Sequence, residues 1–450
     1  MLDLNFIRAN TDKVREVIAK RGNPDKADID EWLGLDEKRR SKQAELDDLN
    51  RQKNELAASA KTGNIEEIRS KGKELKQKSQ DLEEEMRTLN ADWERILSWI
   101  PNVPLDDVPE GADSEENVEV KAWVPGKGYL SEDKLGKAEK SGEHMPQTGV
   151  HADKEFTPKP HWEIGEALDM IDTKAAAETS GSRFYYLKGG AVLLVYATFN
   201  LLWRKLIEEG FTPMIVPVLV REKTLFGSSH FPGDADQIYK LESKYVEDEN
   251  SLYLIGSSEP SNFAYFAGKT LDLTNPVKVM AQTTCFRSEV GSWGKDVRGI
   301  KRTHQFDKLE MNMICEADPV KAHEMHEYLL SLNEWLLQQL EIPYHVINMC
   351  TGDLGYYAAA KKYDIEFWTP SQKSYCEIMS NSITTDYQTR RLNIKYQGKD
   401  GKKQFAYTLN DTGVTHRILI GILEHYQQSD GTVKVPAALQ PFIGKEYLGK

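Results

Sequence analysis

The chain has 450 residues, with 58 basic and 71 acidic side chains and a formal net charge of −13. This length predicts two or three domains, and the acidic balance argues against a global attraction to nucleic acid, so any RNA contact must depend on local basic patches. The chain has no apolar run of about eighteen residues and no signal-like N-terminus, so we expect a cytoplasmic protein with no membrane span. Its four cysteines are widely spaced and suit neither disulfides nor a zinc site, so we expect reduced, mostly buried thiols.

The first hundred residues show the pattern of a helical hairpin. Two long polar stretches carry apolar residues at heptad-like spacing, which is typical of an antiparallel two-helix coiled coil. Turn residues occur at 61–64 and prolines at 101 and 104, so we predict an arm over residues 1–105 with roughly 26 residues per helix and a length of about 40 Å. The apolar positions are Leu35, Leu46, Leu49 and Leu56 in the first stretch and Leu75, Leu82, Met86, Leu89, Trp93, Ile96 and Ile100 in the second.

Basic residues are concentrated near the predicted tip of this arm. Between positions 61 and 78 there are six basic residues against three acidic ones. Such a run is often only the solvated face of a coiled coil, but the tip of an arm favours contact with nucleic-acid phosphates, each of which adds about one unit of salt dependence. The basic residues are Lys61, Arg69, Lys71, Lys73, Lys76 and Lys78.

The rest of the chain alternates strands and helices. Residues 106–160 are rich in Gly, Pro and charge, so we predict a linker or extended surface segment. After it we predict helices over His161–Glu178, Ala191–Glu209 and Ile418–Tyr426, and an α+β domain, residues 161–450, in which helices flank an antiparallel sheet. The predicted strands are Arg183–Lys188, Phe211–Pro217, Leu252–Ile255, Val277–Thr283, Phe306–Ile314, Tyr344–Asn348 and Phe405–Leu409.

The run from Cys285 to Met311 is the most informative part of the sequence. Two strand-like segments flank a Gly-rich basic loop, and side chains on one face of a strand recur at every second residue. Such a hairpin presents an arginine able to clamp a phosphate, an aromatic ring and carboxylates, which a bound nucleotide requires. These side chains are Arg287, Glu289, His304, Phe306, Lys308 and Glu310.

Three other segments carry candidate chemistry. The turn at 256–260 offers hydroxyls and a carboxylate that suit an ammonium group, although alone it reads as an ordinary turn. Glu377 and Ser380 suit a magnesium ion that bridges nucleotide phosphates. Arg417 precedes a helix, where it serves either a phosphate or a surface carboxylate.

The order of these segments resembles that of a known family. The elements F-R-x-E, G-x-x-G-x-D and H-Q-F-x-K-x-E resemble motif 2 of class II aminoacyl-tRNA synthetases in its seryl version. The similarity to bacterial-type seryl-tRNA synthetases extends over nearly the whole chain, through H-W-E-I-G-E-A-L-D, S-G-S-R-F-Y-Y-L-K-G, K-Y-D-I-E-F-W and the stretch from T-L-N to G-T-V-K-V-P. The helix at 191–209 and the strand at 211–217 resemble motif 1, which forms the dimer interface in that class.

This resemblance implies a homodimeric α+β enzyme that activates L-serine with ATP and Mg²⁺ and charges tRNA(Ser) and tRNA(Sec). It implies catalytic roles for Arg287, Glu377 and Arg417, and a metal site at Glu377 and Ser380. Implied ATP contacts are Arg287, Ser288, Glu289, Thr303, Phe306, Glu377, Ile378, Met379, Ser380 and Arg417. Implied serine contacts are Ser257, Ser258, Glu259, Arg287, Glu310, Asn410 and Thr412. Implied tRNA contacts are the six basic residues of the arm together with Arg298 and Arg302.

The sequence departs from the family pattern at Met379, Asn381, Ile383 and Asp411, and its spacing before Arg417 is one residue shorter. Two other functions stay open. The first is a paralogue that loads a small amino acid onto a carrier, and the long arm argues against it. The second is a non-catalytic tRNA-binding homologue, and the retained arginines and glutamates argue against it.

Overall fold

The computed structural model describes residues 1–21, 23–59, 65–152, 156–242, 251–290 and 298–449. The chain divides into two compact units, Met1–Val103 and Pro104–Lys450. The turn predicted at 61–64 and the basic residue Lys61 lie outside the described residues.

All the regular secondary structure of the first unit, in its described residues, is helical. Its helices are α1 (Leu4–Ala9), α2 (Thr11–Arg21), α3 (Ile29–Ser59) and α4 (Ile65–Trp99). The two long helices have 31 and 35 residues, so both exceed the predicted length.

The two long helices run antiparallel, as predicted. Trp32 near the start of α3 stacks on Trp93 near the end of α4 with 5.8 Å between ring centroids, and farther along Lys42 pairs with Glu85 at 2.8 Å. The predicted apolar stripe of α4 is turned inward, with Leu82, Met86, Trp93, Ile96 and Ile100 buried.

The second unit contains the sheet. Its helices are α5 (Ala138–Gly142), α6 (His161–Ala167), α7 (Thr173–Ser180), α8 (Gly190–Glu208), α9 (Glu222–Gly227), α10 (Glu259–Ala264), α11 (Pro319–Gln339), α12 (Tyr387–Leu392), α13 (Ile418–Tyr426) and α14 (Gln440–Ile443). Its strands are β1 (Val118–Val124), β2 (Gly128–Tyr129), β3 (Ile171–Asp172), β4 (Tyr186–Leu187), β5 (Thr212–Pro213), β6 (Leu219–Arg221), β7 (Leu252–Leu254), β8 (Thr270–Leu271), β9 (Val277–Phe286), β10 (Gln305–Cys315), β11 (Tyr344–Asn348), β12 (Lys361–Thr369), β13 (Ser374–Thr385), β14 (Lys395–Gln397), β15 (Lys403–Phe405), β16 (Tyr407–Thr415), β17 (Val433–Lys434) and β18 (Tyr447–Leu448).

Nine strands form one sheet in the order β2-β1-β11-β12-β13-β16-β10-β9-β5. All neighbours are antiparallel except β5 and β9. Helices α8, α11 and α13 pack on its central strands and bury a continuous apolar core. The predicted α+β class with an antiparallel sheet is confirmed.

Several sequence predictions need correction. The segment 106–160, predicted as a linker or extended surface segment, contributes β1 and β2 to the main sheet; the valines and Trp123 of β1 form a short apolar run inside a segment dominated by Gly, Pro and charged residues. The predicted helix His161–Glu178 is interrupted near Asp169, which has a positive φ of 52°, and β3 lies between its halves. The strand predicted at 211–217 is only two residues long.

All four cysteines are free and buried, as expected. Burial raises the pKa of the Cys315 thiol to about 12 and that of Cys376 to about 11. Among the described residues, α8 is long and apolar enough to cross a membrane by length and composition alone, but much of it is buried in the core, where an apolar helix meets the same criteria.

A buried histidine links β1 to the neighbouring strands of the sheet. His345 of β11 is fully buried, and its Nδ1 lies 2.6 Å from Glu119 Oε1 of β1 and its Nε2 lies 2.9 Å from Glu366 Oε2 of β12. Its ring stacks on Tyr375 with 3.4 Å between centroids. Burial lowers the pKa of His345, but the two carboxylates outweigh burial and the net pKa is raised.

We expect His345→Gln to destabilise the protein most at acidic pH. A raised folded-state pKa gives stability that is fully present below the ordinary pKa of about 6.5 and is lost as the pH rises through the folded value. Urea unfolding should give a loss on the order of 2 kcal/mol at about pH 6, shrinking towards pH 10. His323→Gln, at a half-exposed histidine paired with Asp107, is the matched control; a constant loss across this range would contradict the charged state.

Candidate active site

A cavity of about 420 Å³ is lined by residues of β10, β12, β13 and β16 and of the segments that precede α10 and follow β9. Strand periodicity explains the lining, since alternate residues of each strand share a face. Most residues predicted for ATP and serine contact meet here, although they come from distant parts of the chain. These are Ser257, Glu259, Arg287, Glu289, Phe306, Glu310, Glu377, Ile378, Ser380, Asn410, Thr412 and Arg417.

Four other predicted residues do not line the cavity. The hydroxyl of Ser258 is buried and donates to the carbonyl of Ala281, and that of Ser288 donates to the carbonyl of Asp236. Thr303 is buried. Met379 belongs to the apolar core, because it alternates with Ile378 and Ser380 along β13.

The β9–β10 hairpin forms one wall. Cys285 pairs with Phe306 in its register, and the Arg287 guanidinium lies 5.5 Å from the centre of the Phe306 ring. Arg287 Nε donates to the Gly256 carbonyl at 3.3 Å, which helps to fix the side chain. A planar cation beside an aromatic ring suits a phosphate joined to an aromatic base.

The opposite wall places an arginine beside a carboxylate. Arg417 Nη1 donates to the Glu377 carbonyl at 3.1 Å and lies 3.8 Å from its Oε2. A register shift opposite Ile365 and Glu366 is a bulge, which explains why the consecutive residues Glu377 and Ile378 both reach the cavity.

The Glu377 carboxylate is ionised at neutral pH. Desolvation in the cavity raises its pKa, but the charges of Arg417 and Lys362 outweigh desolvation and the net pKa is lowered. Its side chain is 47% exposed, so an ion can reach it. Together with the Ser380 hydroxyl it offers oxygen ligands of the kind that Mg²⁺ accepts beside phosphates. Within the described residues no three His, Cys, Asp or Glu side chains converge on a metal position, so most ligands of such an ion would be water and phosphate.

Glu259 is a buried carboxylate at the first residue of α10. Its Oε1 accepts hydrogen bonds from Gln388 Nε2 at 2.6 Å, Asn410 Nδ2 at 3.1 Å and the Tyr356 hydroxyl at 3.2 Å. Burial, with the nearby charge of Glu310, raises the pKa of Glu259 to about 8. A cation bound against it would favour the ionised form.

The floor of the cavity carries a buried ion pair. Lys308 Nζ lies 2.6 Å from Glu310 Oε2, and both side chains are almost fully buried. Thr412 Oγ1 lies 3.4 Å from Glu310 Oε2 and 3.3 Å from Lys308 Nζ. Burial raises the pKa of Glu310, against the opposing charge of Lys308. This floor suits a small polar group such as a hydroxyl.

Sequence reasoning missed several residues of the wall, among them His230, Asp234, Tyr356 and Lys362. Burial lowers the pKa of His230 to about 3 and raises that of Asp234 to about 6. Lys362 carried a usable signal, since it alternates with Asp364 along β12, and these side chains pair at 3.0 Å. The other three lie outside regular strands, where no periodicity marks them.

The predicted basic residues have two locations. Arg69, Lys71, Lys73, Lys76 and Lys78 are exposed along α4, and Lys78 pairs with Glu74 at 2.7 Å. Arg298 is exposed in the second unit. Arg302 lines the cavity and lies 3.7 Å from Glu289.

Two family models match the chain. Residues 1–104 match the seryl-tRNA synthetase N-terminal domain, and residues 239–426 match the class II tRNA synthetase core domain of the G, H, P, S and T enzymes. The chain is 38% identical to the serine–tRNA ligase of Borrelia garinii subsp. bavariensis, across 100% of this chain and 99% of that protein.

Solved structures agree with the sequence matches. The seryl-tRNA synthetase of Pyrococcus horikoshii complexed with ATP has a TM-score of 0.85 and 37% identity, over 100% of this chain and 99% of that one. The cytoplasmic serine–tRNA ligase of Naegleria fowleri in complex with AMP has a TM-score of 0.79 and 28% identity, over 100% and 98% of the two chains. Both matches include the N-terminal unit, and neither favours the carrier-loading paralogue or the non-catalytic homologue.

Proposed function

The chain belongs to the seryl-tRNA synthetase family of class II aminoacyl-tRNA synthetases, and from that membership we propose which of its residues activate serine and charge tRNA. The enzyme is an ATP-dependent serine–tRNA ligase. A serine carboxylate oxygen attacks the α-phosphorus of ATP, pyrophosphate leaves with the electrons of the broken P–O bond, and seryl-adenylate forms. A ribose hydroxyl at the 3′ end of tRNA then attacks the seryl carbonyl and AMP leaves.

The nucleotide occupies the hairpin wall in this proposal. Arg287 binds the α-phosphate and the serine carboxylate, which brings the two reacting groups together and stabilises charge that develops between them. Phe306 stacks on adenine, and Glu289 and the strand around Thr303 read the base edge. Arg417 binds the outer phosphates. The observation that carries this assignment is the position of Arg287 between Phe306 and the Glu259 side of one cavity.

Mg²⁺ is held by Glu377 and Ser380 in this proposal, on the support of the ionised, accessible Glu377 carboxylate. The ion supplies charge neutralisation at the leaving pyrophosphate. The chain's own contribution there is to keep Glu377 ionised through Arg417 and Lys362.

Serine binds at the buried end of the cavity. Its ammonium group pairs with Glu259 and contacts Ser257, and its hydroxyl contacts Glu310 and Thr412, with Asn410 nearby. Alanine has no hydroxyl for Glu310 and Thr412, so it would displace water from these polar groups without a hydrogen bond in return, and such a loss gives strong discrimination.

The predicted arm, residues 1–105, binds tRNA in this proposal, with tRNA(Ser) and tRNA(Sec) as substrates because both accept serine. The support is the exposed basic row on α4, since double-stranded RNA is bound mainly through backbone and shape. In the same proposal Arg298 and Arg302 meet the acceptor end of the tRNA. We assign the enzyme to the cytoplasm, where translation takes place.

The enzyme is a homodimer in this proposal. The outer face of α8 and the segment after β5 expose more large apolar residues than a free surface favours. Leu193, Tyr196 and Ile207 are 43%, 55% and 50% exposed, and Ile215 is fully exposed. A two-fold interface would cover the same patch on both copies.

We expect Arg287→Ala to abolish serine-dependent pyrophosphate exchange. Loss of one transition-state donor should cost roughly 3 kcal/mol or more, which is more than a hundredfold in rate. Arg287→Lys keeps the charge but cannot bind bidentately. Its exchange rate should therefore lie between those of the Ala variant and the wild type. A folded Ala variant that exchanges at nearly the wild-type rate would show that the assignment is wrong.

Neutralising Lys71, Lys73 and Lys76 to Gln should impair charging and spare activation. We expect the KM for tRNA to rise at least tenfold, because each lost phosphate contact removes about one unit of salt dependence, while pyrophosphate exchange stays within twofold. The matched control neutralises the exposed Lys399, Lys402 and Lys403 of the second unit. Equal effects of the two triple variants on charging would remove the tRNA-binding role of α4.

Ile215→Asp should convert a dimer to a monomer. Sedimentation velocity at micromolar concentration should give the mass of two chains for wild type and one for the variant, because a buried aspartate without a partner opposes association. Val320→Asp, at a similarly solvated apolar residue of α11, should stay dimeric. A wild-type monomer would refute the dimer.

A further inference from the structure

The peptide of Ile300 is held on both sides by imidazole rings. Its N–H donates to His161 Nε2 at 3.3 Å, and its carbonyl accepts from His416 Nε2 at 3.0 Å. The Ile300 side chain is itself fully buried in the main core. Peptide and side chain are thus fixed together, at the point where the chain returns towards β10.

Glu424 of α13 sets the orientation and tautomer of His161. Glu424 Oε1 accepts from the His161 backbone N–H at 3.1 Å and lies 3.4 Å from His161 Nδ1. Its Oε2 accepts from the Ser371 hydroxyl at 2.7 Å. Because the carboxylate accepts a hydrogen bond from Nδ1–H, His161 Nε2 is left as an acceptor and can receive the N–H of Ile300.

Gly299 allows this contact. A Cβ at this position would lie 2.1 Å from His161 Nε2, and the residue has a positive φ of 70°. Both the close approach and the left-handed backbone exclude a larger residue.

The Ile300 peptide lies close to residues that line the cavity. Arg302, two residues farther on, lines the cavity, and the carbonyl of His304 accepts from the backbone N–H of Arg287. His416 precedes Arg417, and its ring lies 6.0 Å from that of Phe306. The Ile300 peptide is therefore linked through His416 to Phe306 and Arg417, two residues assigned to ATP.

We propose that His161, oriented by Glu424, is a positioning residue for ATP: with His416 it clamps the Ile300 peptide and so fixes Phe306 and Arg417 relative to one another. This inference rests on the proposed function for the nucleotide wall. The clamp does not touch Glu259, Glu310 or Thr412, so it acts on the nucleotide and leaves the serine end of the cavity unchanged.

The test compares His161→Leu with His161→Gln in pyrophosphate exchange. Leucine cannot accept the Ile300 N–H, so we expect the KM for ATP to rise at least tenfold while the KM for serine stays within twofold. Glutamine keeps an acceptor oxygen and should restore most of the loss. His151→Leu is the control, because His151 stacks on Tyr426 and pairs with Glu341 away from the cavity.

Gly299→Ala is the second variant, since it disturbs the clamp and leaves His161 in place; it should reproduce the ATP defect. Calorimetric titration with ATP alone measures ATP binding without the reaction. Wild-type protein that binds ATP but shows no serine-dependent exchange would contradict the proposed function. That result is distinguishable from a failure of the clamp, which concerns the variants. Equal rises in KM for ATP and serine, a loss that glutamine does not rescue, or unchanged ATP binding in both His161→Leu and Gly299→Ala would overturn the proposal.

Discussion

The cavity depends on one constraint, which is that charges brought onto the sheet must be neutralised where water is scarce. The buried pair of Lys308 and Glu310 meets this constraint internally, whereas Glu259 accepts hydrogen bonds from the neutral groups of Gln388, Asn410 and Tyr356 and has a raised pKa of about 8. The walls of the same cavity carry the cations Arg287 and Arg417. The cavity therefore offers a carboxylate at one end and cations at the other. A ligand with an ammonium group at one end and phosphates at the other would pair with both.

The antiparallel sheet makes this arrangement possible. Residues from β10, β13 and β16 reach one face because those strands are adjacent and their side chains alternate. The same alternation sends Met379, Leu309 and Met311 into the apolar core, so that the cavity floor and the core are opposite faces of the same strands. The bulge in β13 departs from this regularity where two consecutive residues face the cavity.

Sequence reasoning found the elements with strong local patterns. The heptad spacing of α4, the apolar helix α8 and the alternation around Phe306 each have a period that identifies the element and its inner face. Residues such as Tyr356 and Gln388 escaped prediction, because they reach Glu259 from a loop and a short helix whose local sequence has no period. Strand β1 escaped because its contact with His345 is made through Glu119, and a glutamate in a polar segment usually indicates solvent exposure. Ser258 and Met379 were predicted as ligand contacts because their sequence neighbours were, although adjacent side chains of a strand or turn point in different directions.

The burial of all four thiols has a practical consequence. Because Cys285, Cys315, Cys350 and Cys376 are buried, and the pKa of Cys315 and of Cys376 is well above neutrality, few native thiolates are available to maleimide reagents in the folded protein. A single cysteine introduced at an exposed position, such as Lys76 on α4, should therefore take a fluorophore selectively without removal of the native cysteines. Because the native cysteines should take little label, the fluorescence would report on the introduced position. Binding of tRNA to the helical unit could then be followed in real time without changes to the catalytic residues.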